Sequence, residues 1–77
     1  MSRIVDKPAA VVTRPGGSPA LVNGSEVLHV HETYRTWAGV LEGRPEIDIW
    51  WIETPGGVLE LHNEVNTTKW TIARQAD

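Results

Sequence analysis

Residues 47–62 read IDIWWIETPGGVLELH, and the reading of this stretch decides the fold. Pro55, Gly56 and Gly57 separate two runs, 47–54 and 58–64, that are rich in apolar and β-branched residues. Proline presets φ at the first corner of a tight turn, and Gly56 accepts positive φ at the second. That predicts a hairpin with a type II-like turn or a slightly longer loop. Successive side chains of a strand point to opposite faces, so Trp50 and Trp51 must diverge. Trp50 and Ile52 make one apolar face, and Ile47, Ile49 and Trp51 make another of equal quality. Such a pattern suits a central strand covered on both sides. A tryptophan carries about 150–250 Å² of burial, worth roughly 4–6 kcal/mol as an upper limit. One indole can fill the core; the other needs its own cover. The N-terminal segment, the bend at 36–41, a second copy of the chain or a foreign partner could each supply it.

Outward from this hairpin, strand and turn signals recur. AAVVT (9–13) reads as a short strand, and RPGGSP (14–19) as a loop. Asn23-Gly24 suits a type I′ turn that folds 20–22 back on Ser25. The segment 25–37 alternates Leu28, Val30 and Tyr34 against His29, His31, Thr33 and Arg35. Tyr34, Trp37, Ala38 and Leu41 also have the spacing of one helix face. Thr33, Thr36, Gly39 and Val40 are weak helix formers, which favours a strand bending near Thr36. EGRPE (42–46) and NTT (66–68) are polar turns. In KWTIARQ (69–75), Trp70 and Ile72 alternate with Thr71 and Ala73, which places Trp70 in the core. Residues 1–8 lack apolar periodicity and read as a flexible N-terminal tail; residues 9–77 read as a single small β domain. The expected class is all-β, a small antiparallel barrel or roll of five to six short strands, with an SH3-like barrel among its forms.

Composition narrows the function. A chain of 77 residues has room for one core. It contains no cysteine, so disulfides, thiolate chemistry and cysteine-held metals are excluded, and a reducing cytoplasm is the expected location. No apolar run approaches the roughly 20 residues of a membrane-spanning helix, and the N-terminus lacks a signal-peptide core. The net charge of −3 opposes nucleic-acid binding, which calls for a basic surface. A local patch from Arg14, Arg35, Lys69 and Arg74 beside Tyr34, Trp37 and Trp51 keeps single-stranded nucleic acid as the alternative partner, held by base stacking.

Catalytic patterns are absent. Ser2, Ser18 and Ser25 lack the G-x-S-x-G elbow, and the glycine-rich loop lacks the lysine and spacing of a phosphate loop. Glu53 and Glu60 flank the central hairpin and could approach as a carboxylate pair. Scattered acids on a hairpin more commonly serve solubility. His29 and His31 share a strand face, and with His62 they could converge on zinc if their strands were neighbours. The plainer reading is a solvent-facing polar row. Neither an enzyme nor a cofactor is expected.

One likeness bears on context. The succession PALVNG (19–24), YRTW (34–37), WWIETPGGVLEL (50–61) and NTTKWTIARQAD (66–77) resembles a small domain family of actinobacteria and related bacteria whose function is uncharacterised. That family occurs as short stand-alone proteins and at the C-terminus of inactive Y-family-polymerase-like subunits of the translesion mutasome. The likeness rests on W-x-[IL]-x-R-x-x-D (Trp70, Ile72, Arg74, Asp77) and on W-x-[IV]-E before a glycine-rich turn. It implies a scaffold without catalytic residues and a partner in DNA-damage tolerance, or a host protein if the chain is phage-borne. Met1 and the family-like ending at Asp77 suggest a complete protein. In that family the position of Trp50 is aromatic and the next is polar or basic, so Trp51 is this chain's departure. The expected function is therefore a non-enzymatic protein–protein interaction module. Its anchors would be Trp51, Ile49 and Trp37, acidic side chains would steer a basic partner, and a free strand edge could add a peptide. A homodimer would use the same apolar face.

Overall fold

A computed structural model describes residues 2–37 and 45–76. Eight strands succeed one another: β1 (Ser2–Ala9), β2 (Val11–Thr13), β3 (Pro19–Val22), β4 (Ser25–Glu26), β5 (His29–Trp37), β6 (Glu46–Thr54), β7 (Gly57–Glu64) and β8 (Trp70–Ala76). They form a five-stranded sheet ordered β1-β8-β7-β6-β5 and a three-stranded sheet ordered β2-β3-β4. Every pairing is antiparallel. The all-β antiparallel class is as expected. Among the described residues the strands number eight rather than five or six, and the two sheets do not close into a barrel.

The central hairpin sets the register. Thr54 pairs with Gly57, and Ile52–Leu59, Trp50–Leu61 and Asp48–Asn63 follow in step. The turn differs in one detail from expectation: positive φ falls on Gly57 (126°) rather than on Gly56. Buried Thr54 explains the tight geometry. Its Oγ1 accepts the Gly56 amide at 3.2 Å and donates to the Gly57 carbonyl at 3.1 Å. The Asn23-Gly24 turn has φ of 50° and 84°, both positive as a type I′ turn requires.

The core lies between the sheets. Ile52, Leu59, Leu61, Trp70 and Ile72 from the large sheet pack with Val22 and Val27 from the small sheet and its exit, while Val5, Ala9, Val11, Val30 and Trp50 close the margins. Ile52 and Leu61 are fully buried. The chain crosses between sheets at Ala10, between β1 and β2, and at 27–28, between β4 and β5. Such corners let two small sheets enclose one interior.

The N-terminal segment is a correction. Residues expected to be a flexible tail form β1, which runs along β8 from Ser2–Ala76 to Ala9–Trp70 with an irregularity between Ile4 and Lys7. Its apolar signal is weak because it is an edge strand, held by main-chain hydrogen bonds and only partly inward-facing. Ile4 is 78% exposed, whereas Val5 and Ala9 reach the core margin. Tyr34 and Trp37 lie in β5, so the helical alternative fails for them. Ala38 and Leu41, its other members, lie outside the described residues.

Candidate functional site

β6 has two different faces. Trp50 and Ile52 point to the core side, and Ile52 reaches zero exposure. Ile47, Ile49, Trp51 and Glu53 occupy the other side. Directly opposite partners in an antiparallel pair share a face, so the register assembles this outer surface. β5 contributes Glu32 beside Trp51, Tyr34 beside Ile49 and Thr36 beside Ile47. β7 contributes Glu60 beside Trp51 and His62 beside Ile49. β8 adds Arg74 beside Glu60 and Thr71 beside His62. Ile49 is buried yet stands apart from the core cluster between the sheets, and Trp51 is half-buried between two glutamates.

The expected anchor trio divides. Trp51 and Ile49 share the outer face, but Trp37 pairs with Glu46 on the same side as Trp50. It is 63% exposed. The small sheet has strands of only three, four and two residues, and Val22 and Val27 pack with Ile52, Leu59, Leu61, Trp70 and Ile72. Trp37, at the far end of β5, is not part of that cluster. Sequence reasoning could not separate the trio, because it had no fixed register for β5. Among the possible covers for Trp51, the N-terminal segment is placed elsewhere: β1 sits at the opposite sheet edge, beyond β8 and β7. Of the bend expected at 36–41, residues 38–41 lie outside the described residues.

The candidate basic patch is dispersed and compensated. Arg35 projects to the inner side and binds Asp48 through Nε at 2.8 Å and through a terminal nitrogen at 3.3 Å. This hydrogen bond, with the charge of Asp48 and a smaller contribution from Glu46, raises the guanidinium pKa above its ordinary value despite slight desolvation. Lys69 lies 3.6 Å from Glu64, and Arg74 lies 3.8 Å from Glu60. Arg14 is in the loop after β2, at the other sheet. Tyr34 shares a face with Arg74 but is separated from it by β6 and β7. No continuous positive surface forms from these residues.

The histidines also separate. His29 and His31 meet edge to face, with centroids 4.7 Å apart, and His31 Nε2 lies 3.1 Å from Glu53. The β5 irregularity between Val30 and Glu32 turns His31 toward that carboxylate. His62 instead binds Glu60, whose side chain is 12% exposed. β6 lies between β5 and β7, and the partners of His29 and His62 on it, Glu53 and Ile49, are roughly 13 Å apart along the strand. Among the described residues, no group of three His, Asp or Glu side chains is placed to hold a metal ion. Glu53 and Glu60, considered as a carboxylate pair, each have a separate histidine partner. A shallow hollow of about 170 Å³ beside His62 is lined by Ile47, Glu64, Lys69 and Thr71.

Sequence reasoning did not single out the contrast between the sheet's two edges. β1 carries Pro8 and Lys7, and its irregularity contains Asp6 at φ 50°. These are devices that discourage edge-to-edge pairing. β5 is nine residues long, contains neither proline nor lysine, and runs in unbroken register from Glu32 to Trp37. Among the described residues, nothing pairs with its outer side. Tyr34 and Trp37 project from opposite faces of this edge and are 46% and 63% exposed. No helix of the described residues is long and apolar enough to cross a membrane. No family model, curated protein or solved structure gives a match to this chain.

Proposed function

We propose that this chain is a non-enzymatic protein-interaction module that receives its partner along the β5 edge, with Tyr34, Trp51 and Ile49 on one face and Trp37 on the other. The observation that carries this reading is the β5 edge, in unbroken register from Glu32 to Trp37 and unpaired on its outer side among the described residues, bearing two exposed aromatic side chains. Main-chain groups of an edge strand supply directional bonds, and flanking aromatics supply buried area and act as hot spots. The pairing of Arg35, Lys69 and Arg74 with carboxylates weighs against nucleic acid, because compensated cations release few counterions from phosphates. The family likeness adds a context, a partner in DNA-damage tolerance, and the cysteine-free composition adds a cytoplasmic location.

The test places a photo-crosslinking phenylalanine analogue at position 34 of the full chain in cells that contain it. The captured protein is then purified and titrated against the unlabelled chain. Tyr34→Ala and Trp37→Ala should each weaken the complex while leaving the melting temperature within a few degrees. A captured protein indifferent to both substitutions overturns the proposal. So does salt-sensitive binding of single-stranded DNA that quenches tryptophan fluorescence.

A further inference from the structure

We infer that the β5 edge takes an antiparallel extended peptide from another protein, with an apolar residue beside Tyr34 and a lysine or arginine beside Glu32. This rests on the interaction reading above and names the partner's chemistry. In an antiparallel pair the peptide reads apolar, any residue, basic in its own N-to-C direction, because alternate side chains share a face. The apolar side chain extends the surface of Tyr34 and Ile49. The basic one meets a carboxylate that has no cationic partner among the described residues. Glu53, Glu60 and Glu64 on this face each have a cationic or histidine partner, whereas exposed Glu32 has none among the described residues. The intervening residue falls beside Thr33, on the inner side, where Arg35 is already engaged by Asp48.

A second copy of the chain does not answer the same charge. A two-fold axis through an antiparallel β5–β5 pair matches only residues on the same face. Glu32 and Arg35 are on opposite faces, so Glu32 cannot oppose Arg35 of a second copy. Centred on Thr33, the pairing sets Glu32 against Tyr34. Centred on Tyr34, it sets Glu32 against Thr36. Neither register supplies a cation to Glu32, so charge favours a foreign basic strand over self-association.

The test uses the full chain and three blocked peptides matched in length to β5. One carries Val-Thr-Lys at its centre, one carries Val-Thr-Glu, and one is the lysine peptide N-methylated at alternate amides. Titration is followed by amide chemical shifts. The lysine peptide should shift amides of β5 and bind roughly fivefold to tenfold more tightly than the glutamate peptide. Glu32→Lys should reverse that preference, and N-methylation should abolish binding. If the lysine and glutamate peptides bind equally and N-methylation abolishes binding of the lysine peptide, the charge inference falls while the edge reading stands. If the lysine peptide leaves β5 unshifted at millimolar concentration, or shifts only another surface, the inference falls. The crosslinking at position 34 then decides the interaction reading separately. Concentration-dependent dimerisation through β5 without peptide would also overturn it.

Discussion

Asn23 holds Ala10 from two sides: its amide donates to the Ala10 carbonyl at 2.7 Å, and its Oδ1 accepts the Ala10 amide at 2.8 Å. Ala10 is the residue at which the chain leaves the large sheet for the small one, so a turn fastens a corner. Asn23 also adopts φ of 50°. Replacing it by glycine keeps the turn and removes one hydrogen bond, at about 0.5–1.5 kcal/mol. Alanine adds the left-handed backbone cost, about 1–2 kcal/mol more. Urea unfolding midpoints should therefore rank wild type, then Asn23→Gly, then Asn23→Ala. Equal midpoints for the two variants would refute the assignment.

Leu61 and Ile52 are at zero exposure, at the meeting point of the sheets. Leu61→Ala should cost about 2–5 kcal/mol and Ile52→Val about 0.5–1.5 kcal/mol. Against the roughly 5–15 kcal/mol of a typical domain, the first change brings a chain this small close to unfolding. Guanidinium unfolding followed by tryptophan fluorescence measures both.

The tryptophans differ in accessibility, and quenching can read the difference. Trp37 is 63% exposed and Trp70 is 6% exposed. Trp37→Phe should remove the largest share of fluorescence quenched by iodide, while Trp70→Phe should leave that share nearly intact. The reverse result would mean that the β5 end is covered in solution.

Glu60 receives His62 and faces Arg74 at 3.8 Å from a nearly buried position. Truncation to alanine leaves both without their acceptor, and should cost about 1–3 kcal/mol. Glutamine retains one acceptor oxygen and should cost less. Thermal melts of Glu60→Ala and Glu60→Gln at neutral pH distinguish them; indifference to both would show that the outer-face network is decorative.

Arg35 has a raised pKa because Asp48 stabilises its charged form. A raised folded-state pKa contributes stability that is complete below the unfolded value and is lost only as pH climbs through the folded one. For an arginine that window lies at extreme alkalinity. The stability difference between wild type and Arg35→Gln should thus stay constant from about pH 7 to pH 10. A difference that shrinks across this range would show that another titrating group controls the pair.

Much of the fold was legible in particular residues. Asn23-Gly24 marked a type I′ turn, Trp70 and Ile72 marked an inward face, and Pro55-Gly56-Gly57 marked the central hairpin. Each is a local signal, carried by backbone preference or by a two-residue period. β1 was missed because an edge strand requires little apolar content. The histidine and arginine groupings were uncertain because they depend on which strands are neighbours. A carboxylate pair at Glu53 and Glu60 was plausible locally, but His31 and His62 arrive from different strands and separate their roles.

The sequence by itself determined that Trp50 and Trp51 diverge, since adjacent residues of an extended chain cannot share a face. Only the tertiary structure decided which of them meets the core. Both faces of β6 are apolar, and the choice belongs to β2, β3 and β4, which pack over Ile52 and Leu61 rather than over Ile49. Likewise, the pairing of β1 with β8 and the place of β5 at the end of the strand order arise between residues distant in sequence. Local periodicity fixes where a side chain points relative to its neighbours, whereas long-range packing fixes what it points at.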